Sequence, residues 1–199
     1  MGALAGRSVV NVRSILGLNP FKIETIEDSS TRGIEQLLQP PKSLCDNPPS
    51  ADLAGEGVKL YNGSCQCGAV WLAVRTNPID EIHVNQDNCS ICTRNAFIGI
   101  YPDKSQVTIT GRENTTEYRF GQRFNGSPFC KTCGVHVFGN LYGPPKELVE
   151  TWPEARQQIV KKKLAIQPVN IRTLYDVEWE TIKVTRVDEG TEGYELAEE

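Results

Sequence analysis

At 199 residues, with 39% hydrophobic and 23% charged side chains, the chain is long enough for one well-buried domain with additional segments. A formal net charge of −4 gives no electrostatic case for a nucleic-acid or anionic-membrane partner, and no stretch approaches the apolar run of a membrane span. Seven cysteines without an export signal favour a reducing, cytoplasmic setting in which thiols ligate metal rather than pair as disulfides.

In chain order, residues 8–28 read as two strands, carrying Val9, Val10 and Val12 and then Phe21, Ile23 and Ile26. The stretch Val10-Asn11-Val12-Arg13-Ser14-Ile15 matches Val169-Asn170-Ile171-Arg172-Thr173-Leu174, and each copy is followed by a second strand-like run, 22–27 and 181–187. An internal repeat of this kind predicts that residues 1–40 copy the closing hairpin of the main domain, as the remnant of a preceding sister domain. Residues 29–38 suit a short helix stopped by Gln39-Pro40-Pro41, and 41–57 form a proline-rich linker with Cys45 a bystander in it.

The main domain is expected over 58–188. Strands are predicted leading out of Val58 and Leu60, over 69–74 with both faces buried, and over 97–101, 107–110, 115–120, 124–129 and 135–138. Residues 153–163 predict a helix on the C-terminal side, opened by Pro153 and with Ile159, Val160 and Leu164 as its apolar positions. The triplet Lys161-Lys162-Lys163 suits the negative end of that helix dipole better than a nucleic-acid contact. Pro168 ends the helix and a closing hairpin follows. Residues 189–199 read as an acidic tail, which with Asp188 holds six acids.

The chemistry lies in the cysteines. Cys65-Gln66-Cys67 is a C-x-C pair, and on a strand both thiols would face one way. Cys130-Lys131-Thr132-Cys133 is a C-x-x-C pair followed by Gly134, a residue free to take the positive φ of a tight turn. Together they compose a closed four-thiolate site, the usual make-up of structural zinc, against the alternative of two unrelated pairs of buried thiols.

Three motifs in this order resemble the glutathione-dependent formaldehyde-activating enzyme family, to which centromere protein V also belongs. They are Gly63-Ser64-Cys65-Gln66-Cys67-Gly68-Ala69-Val70, Cys89-Ser90-Ile91-Cys92-Thr93-Arg94-Asn95 and Cys130-Lys131-Thr132-Cys133-Gly134-Val135-His136-Val137-Phe138. The helix and Pro168-Val169-Asn170-Ile171-Arg172 are similar to the C-terminal end of fungal members, some of which carry two such domains in tandem. The resemblance implies a mainly β, tent-like antiparallel fold stapled by zinc, with Cys65, Cys67, Cys130 and Cys133 as the structural site. It also implies a second, functional zinc, held in the family by a C-x-C-x-x-C pattern. Here that pattern falls on Asp87-Asn88-Cys89-Ser90-Ile91-Cys92, so an aspartate replaces the first cysteine; Gln66 and Ala96 likewise stand where the family usually has His and Gly.

Three protein ligands, Asp87, Cys89 and Cys92, would leave a fourth position open, as a catalytic zinc requires. The alternative is that Asp87 caps a surface turn and no second metal is held. His83 continues the 83, 85, 87, 89 series of one strand face and is a candidate ligand or general base, or a structural hydrogen-bonder; His136 has the same structural alternative. Two functions follow from the resemblance. One is a zinc-dependent lyase or synthase acting on a carbonyl compound or thiol–carbonyl adduct, with glutathione as co-substrate and a diverged small-molecule substrate in secondary metabolism. The other is a zinc-stapled, non-catalytic binding module.

Overall fold

The structure, a computed structural model, describes residues 39–50 and 57–187 together with Ile15. The strands and helix expected within 1–38 and the acidic tail lie outside the described residues. The rest folds as ten strands in three sheets with four helices, one of them longer than five residues. Among the described residues no helix is long and apolar enough to cross a membrane.

The first sheet joins β1 (Lys59–Ser64), β2 (Trp71–Thr76) and β5 (Val107–Thr110) antiparallel, with β2 in the middle. The uninterrupted apolar run of β2 predicts burial on both faces, and Trp71, Leu72, Ala73 and Val74 are each at most 5% exposed. Leu72 and Val74 enter the main core with Val84, Ile98, Ile100, Val137, Phe138 and Ile171. Trp71 and Ala73 face the other way and pack on Leu44 and Tyr175. Leu44 belongs to the one-turn helix α1 (Lys42–Cys45), so part of the expected linker is docked on the sheet, while Cys45 is exposed. Leu44 is 2% exposed, and Leu44→Ala is expected to lower unfolding free energy by about 2 kcal/mol or more, read from denaturant midpoints.

The second sheet has the order β10-β3-β4-β9, from Val184–Val187, Val84–Asp87, Gly99–Ile100 and Val169–Asn170. Here two expectations fail. β9 and β10 do not pair as a hairpin, and the fold is not wholly antiparallel, because β10 runs parallel to β3 on the opposite edge from β9. Asn170 explains the separation. Its side chain accepts from the Arg172 amide, starting a 3-10 turn over Ile171–Thr173, and Tyr175 then bonds Asn62 at 2.8 Å before the chain crosses the domain. Buried Asn170 also accepts from Ile98 N and donates to His136 O at 2.8 Å.

The third sheet joins β6 (Thr115–Tyr118), β7 (Asn125–Cys130) and β8 (Asn140–Leu141). The strand expected over 135–138 is irregular, its one bridge being Phe138 to Val169. After a short α3 (Lys146–Val149), α4 spans Glu154–Ala165 with Pro153 extended before its first turn. It buries none of its residues: Val160 and Leu164, four apart, share the partly covered face, whereas Ile159 is about 100° round the helix and 55% exposed.

Candidate metal centres

The strand ends bring the two cysteine pairs together. β1 delivers Cys65 and β7 ends on Cys130. Each opens a tight turn closed by the same kind of bond, Cys65 N–H to Val70 O at 2.9 Å and Cys130 N–H to Val135 O at 3.0 Å. The C-x-C is therefore not on a strand, as the period-two argument supposed. Cys67 is turned back toward Cys65 by the loop, with Gly68 at φ 74°, and Gly134 plays the equivalent part at φ 73°. Asn114 ties the two turns, its side chain donating to Ala69 O at 2.9 Å while its carbonyl accepts from the Lys131 amide.

All four sulfurs lie within 4.8 Å of one another. Cys65 and Cys67 are 3.6 Å apart and Cys67 and Cys130 3.5 Å, too far for disulfides. Those separations are close to the roughly 3.8 Å edge of a tetrahedron with zinc–sulfur bonds of about 2.3 Å. The thiols also need a cation to ionise together. Burial pushes Cys65 up to about 12. At Cys130 burial acts the same way, but the Cys133 and Thr132 amides and the Cys67 and Cys65 thiols outweigh it and bring it down to about 6. Close-packed thiols oppose one another's ionisation unless a cation lies among them; the donor set fits zinc.

The second cluster forms where β3 meets the five-residue helix α2 (Ser90–Arg94). Asp87 is the last residue of β3, and its Oδ1 accepts the Cys89 amide at 2.9 Å. Cys89 has left the strand and caps α2, its sulfur accepting the Cys92 amide at 3.3 Å. Ligand atoms of Asp87, Cys89 and Cys92 lie within 4.8 Å of one another. The turn role and the ligand geometry of Asp87 thus coexist, since an ionised carboxylate has two oxygens. A hydrogen bond from Cys92 holds Cys89 down at about 7, and by the same bond, with burial, Cys92 is raised. Ala96, where the family usually has glycine, sits just past α2 at φ 51°, a left-handed conformation that costs alanine more than glycine.

The histidines fall elsewhere. His83 precedes β3, is exposed, and lies outside both ligand clusters. His136 packs against Phe97 in a tilted arrangement with ring centroids 5.1 Å apart. Both its ring nitrogens are buried without a hydrogen-bond partner, and burial pushes it down to about 4 against a weak backbone interaction at Phe138. A neutral buried imidazole opposes folding once the unfolded chain protonates. Stability is full above the unfolded value near 6.5 and falls as pH drops from there toward the folded value. Between pH 7.5 and 5.5 the native protein is expected to lose about 1 kcal/mol from this group, a loss absent from His136→Phe in paired denaturant titrations.

His136 and Arg94 line two cavities beside α2. One, of about 460 Å³, is walled by Ile91, Tyr118, Phe120 and Phe129; the other, of about 690 Å³, by Gln66, Asn95, Arg172 and Tyr175. A third cavity, about 1040 Å³, lies between α4 and the Tyr142–Lys146 region and shares no residue with either cluster.

Fold and site together define a β-rich domain whose two cysteine pairs converge in metal-ligating geometry beside a second, three-ligand cluster. Residues 60–152, which include both clusters, match the family model of the glutathione-dependent formaldehyde-activating enzyme. A crystal structure of a Rhodobacter sphaeroides protein, a structural-genomics target, is similar at 24% identity and a TM-score of 0.48, covering 63% of this chain and 99% of that one. No curated protein matches the sequence.

Proposed function

We propose that the domain over 58–188 is a two-zinc lyase or synthase that joins a thiol to a small carbonyl compound, or releases it. The family reaction is the model: the sulfur of glutathione adds to formaldehyde, a carbon–sulfur bond forms, and the proton lost from the thiol ends on the former carbonyl oxygen. Cys65, Cys67, Cys130 and Cys133 are assigned to a structural zinc, closed because all four positions are protein thiols. Asp87, Cys89 and Cys92 are assigned to a second zinc with one position left for substrate. Bound there, zinc would supply Lewis acidity and a site for a thiolate or carbonyl oxygen.

The single observation that carries this reading is the convergence of three ligand atoms, not four, at the β3–α2 junction. Asp87 sets the electronic character of the site: a carboxylate is a harder, less electron-donating ligand than the family's thiolate, so the metal is a stronger acid held less tightly. Arg94 and Arg172, in the polar cavity beside α2, suit the carboxylates of glutathione. His83, exposed and away from the cluster, has no part in this reading. The test is two-dimensional exchange NMR of glutathione with formaldehyde at the zinc-loaded protein. Exchange above the uncatalysed rate, lost in Cys92→Ala, supports the enzyme. Background exchange in the wild type with both metals bound favours the non-catalytic module.

A further inference from the structure

β3 and β4 expose one shared face beside the second cluster, and the residues on it are unusually arranged. Asn85 pairs with Gly99 across the antiparallel ladder. Strand alternation sends Val84 and Gln86 to the buried side and Asn85 and Asp87 to the other. On the partner strand Ile98 and Ile100 enter the core, leaving Phe97, Gly99 and Tyr101 on the face of Asp87. Gly99 is a seat: a Cβ there would stand 2.7 Å from the Phe97 ring and 2.9 Å from the Tyr101 hydroxyl. Tyr101 therefore leans back along its strand, and its hydroxyl ends above the Asn85–Gly99 pair, one pleat from Asp87. Tyr101 as a residue remains 43% exposed.

The polar groups at this seat are incompletely used. The Asn85 side chain lies across the ladder from Gly99, on the face over which the Tyr101 hydroxyl sits. Asn85 Oδ1 is buried without a partner. Burial pushes the Tyr101 phenol above its ordinary value, so it stays a hydrogen-bond donor.

We propose that Tyr101, seated over Gly99 opposite Asn85, positions the substrate oxygen at the second site. This deepens, and rests on, the assignment of Asp87, Cys89 and Cys92 as a metal site. As sulfur adds to the carbonyl carbon, the carbonyl π pair moves onto oxygen, and the Tyr101 O–H donates a hydrogen bond to that oxygen. The proton released by the thiol neutralises it; nothing is oxidised or reduced. The ligand class is a thiol adduct of a small aldehyde, recognised by its oxygen as well as its sulfur.

The test uses the full chain loaded with cobalt(II), whose visible spectrum reports thiol binding, and compares 2-mercaptoethanol with ethanethiol. The wild type is expected to hold two cobalt ions and to bind the hydroxyl-bearing thiol about fivefold more tightly. Tyr101→Phe should keep both ions and the ethanethiol affinity while losing that preference. In the glutathione–formaldehyde exchange assay its maximal rate should fall tenfold to a hundredfold, with half-saturating glutathione unchanged. Two ions and an intact preference and rate in Tyr101→Phe would overturn the role of Tyr101 alone. One ion in the wild type, or no spectral response to either thiol, would overturn the metal assignment and this inference with it.

Discussion

Cys130→Ser is expected to leave the domain unfolded or aggregated. Cys130 is 1% exposed, ends β7, and sits among three other thiols in a site whose ions need a common cation. A structural zinc held by four thiolates contributes on the order of 10 kcal/mol or more of folding free energy, as much as the whole net stability of a typical domain. Removing one thiolate also leaves two turns, at Cys65 and Cys130, that the ion no longer joins. Far-UV circular dichroism, size-exclusion chromatography and zinc content check this. A soluble, cooperatively melting Cys130→Ser protein with wild-type zinc content would contradict it.

The second large effect concerns Asp87, Cys89 and Cys92. Cys92→Ala is expected to take metal content from two per chain to one while the fold survives, because the four-cysteine centre does not share its ligands. Asp87→Cys should tighten the second metal and bring the site to the family's three-thiolate composition. Asp87→Ala should weaken it by more than about 100-fold, beyond the loss typical of an outer-shell partner, and abolish turnover. Competition with a chromophoric chelator measures the affinities. Equal affinity in wild type and Asp87→Ala would make Asp87 a turn residue for Cys89 and nothing more.

The legible parts of this chain are those fixed by local pattern. The apolar run 71–74 announces a strand buried on both faces, and the cysteine spacings announce the four-thiol cluster, because a metal site needs certain ligands at certain offsets whatever carries them; the Asp87, Cys89 and Cys92 cluster followed from the family resemblance. The carrier itself was harder to read. Cys65 and Cys67 are two apart both on a strand and in this turn, so spacing alone does not separate the two. Cys89 and Cys92 sit at a helix start too short to show periodicity. β9 and β10 look like a hairpin in sequence, but their partners, β4 and β3, are set by tertiary pairing that no local signal contains. Leu44 lies in a proline-rich stretch, where a single apolar residue gives no period to read, yet Trp71 and Tyr175 make a place for it. Tyr101 escaped because its role depends on Gly99 and on Asn85 across the ladder, while the strand it follows is only two residues long.

The central claim is that one chain holds two zinc ions, one closed by four thiolates and one open at Asp87, Cys89 and Cys92. Its most direct test is zinc per chain by mass spectrometry of the native complex, purified without chelators and with zinc supplied. The account predicts two ions in the wild type and one in Cys92→Ala. One ion in both would contradict it.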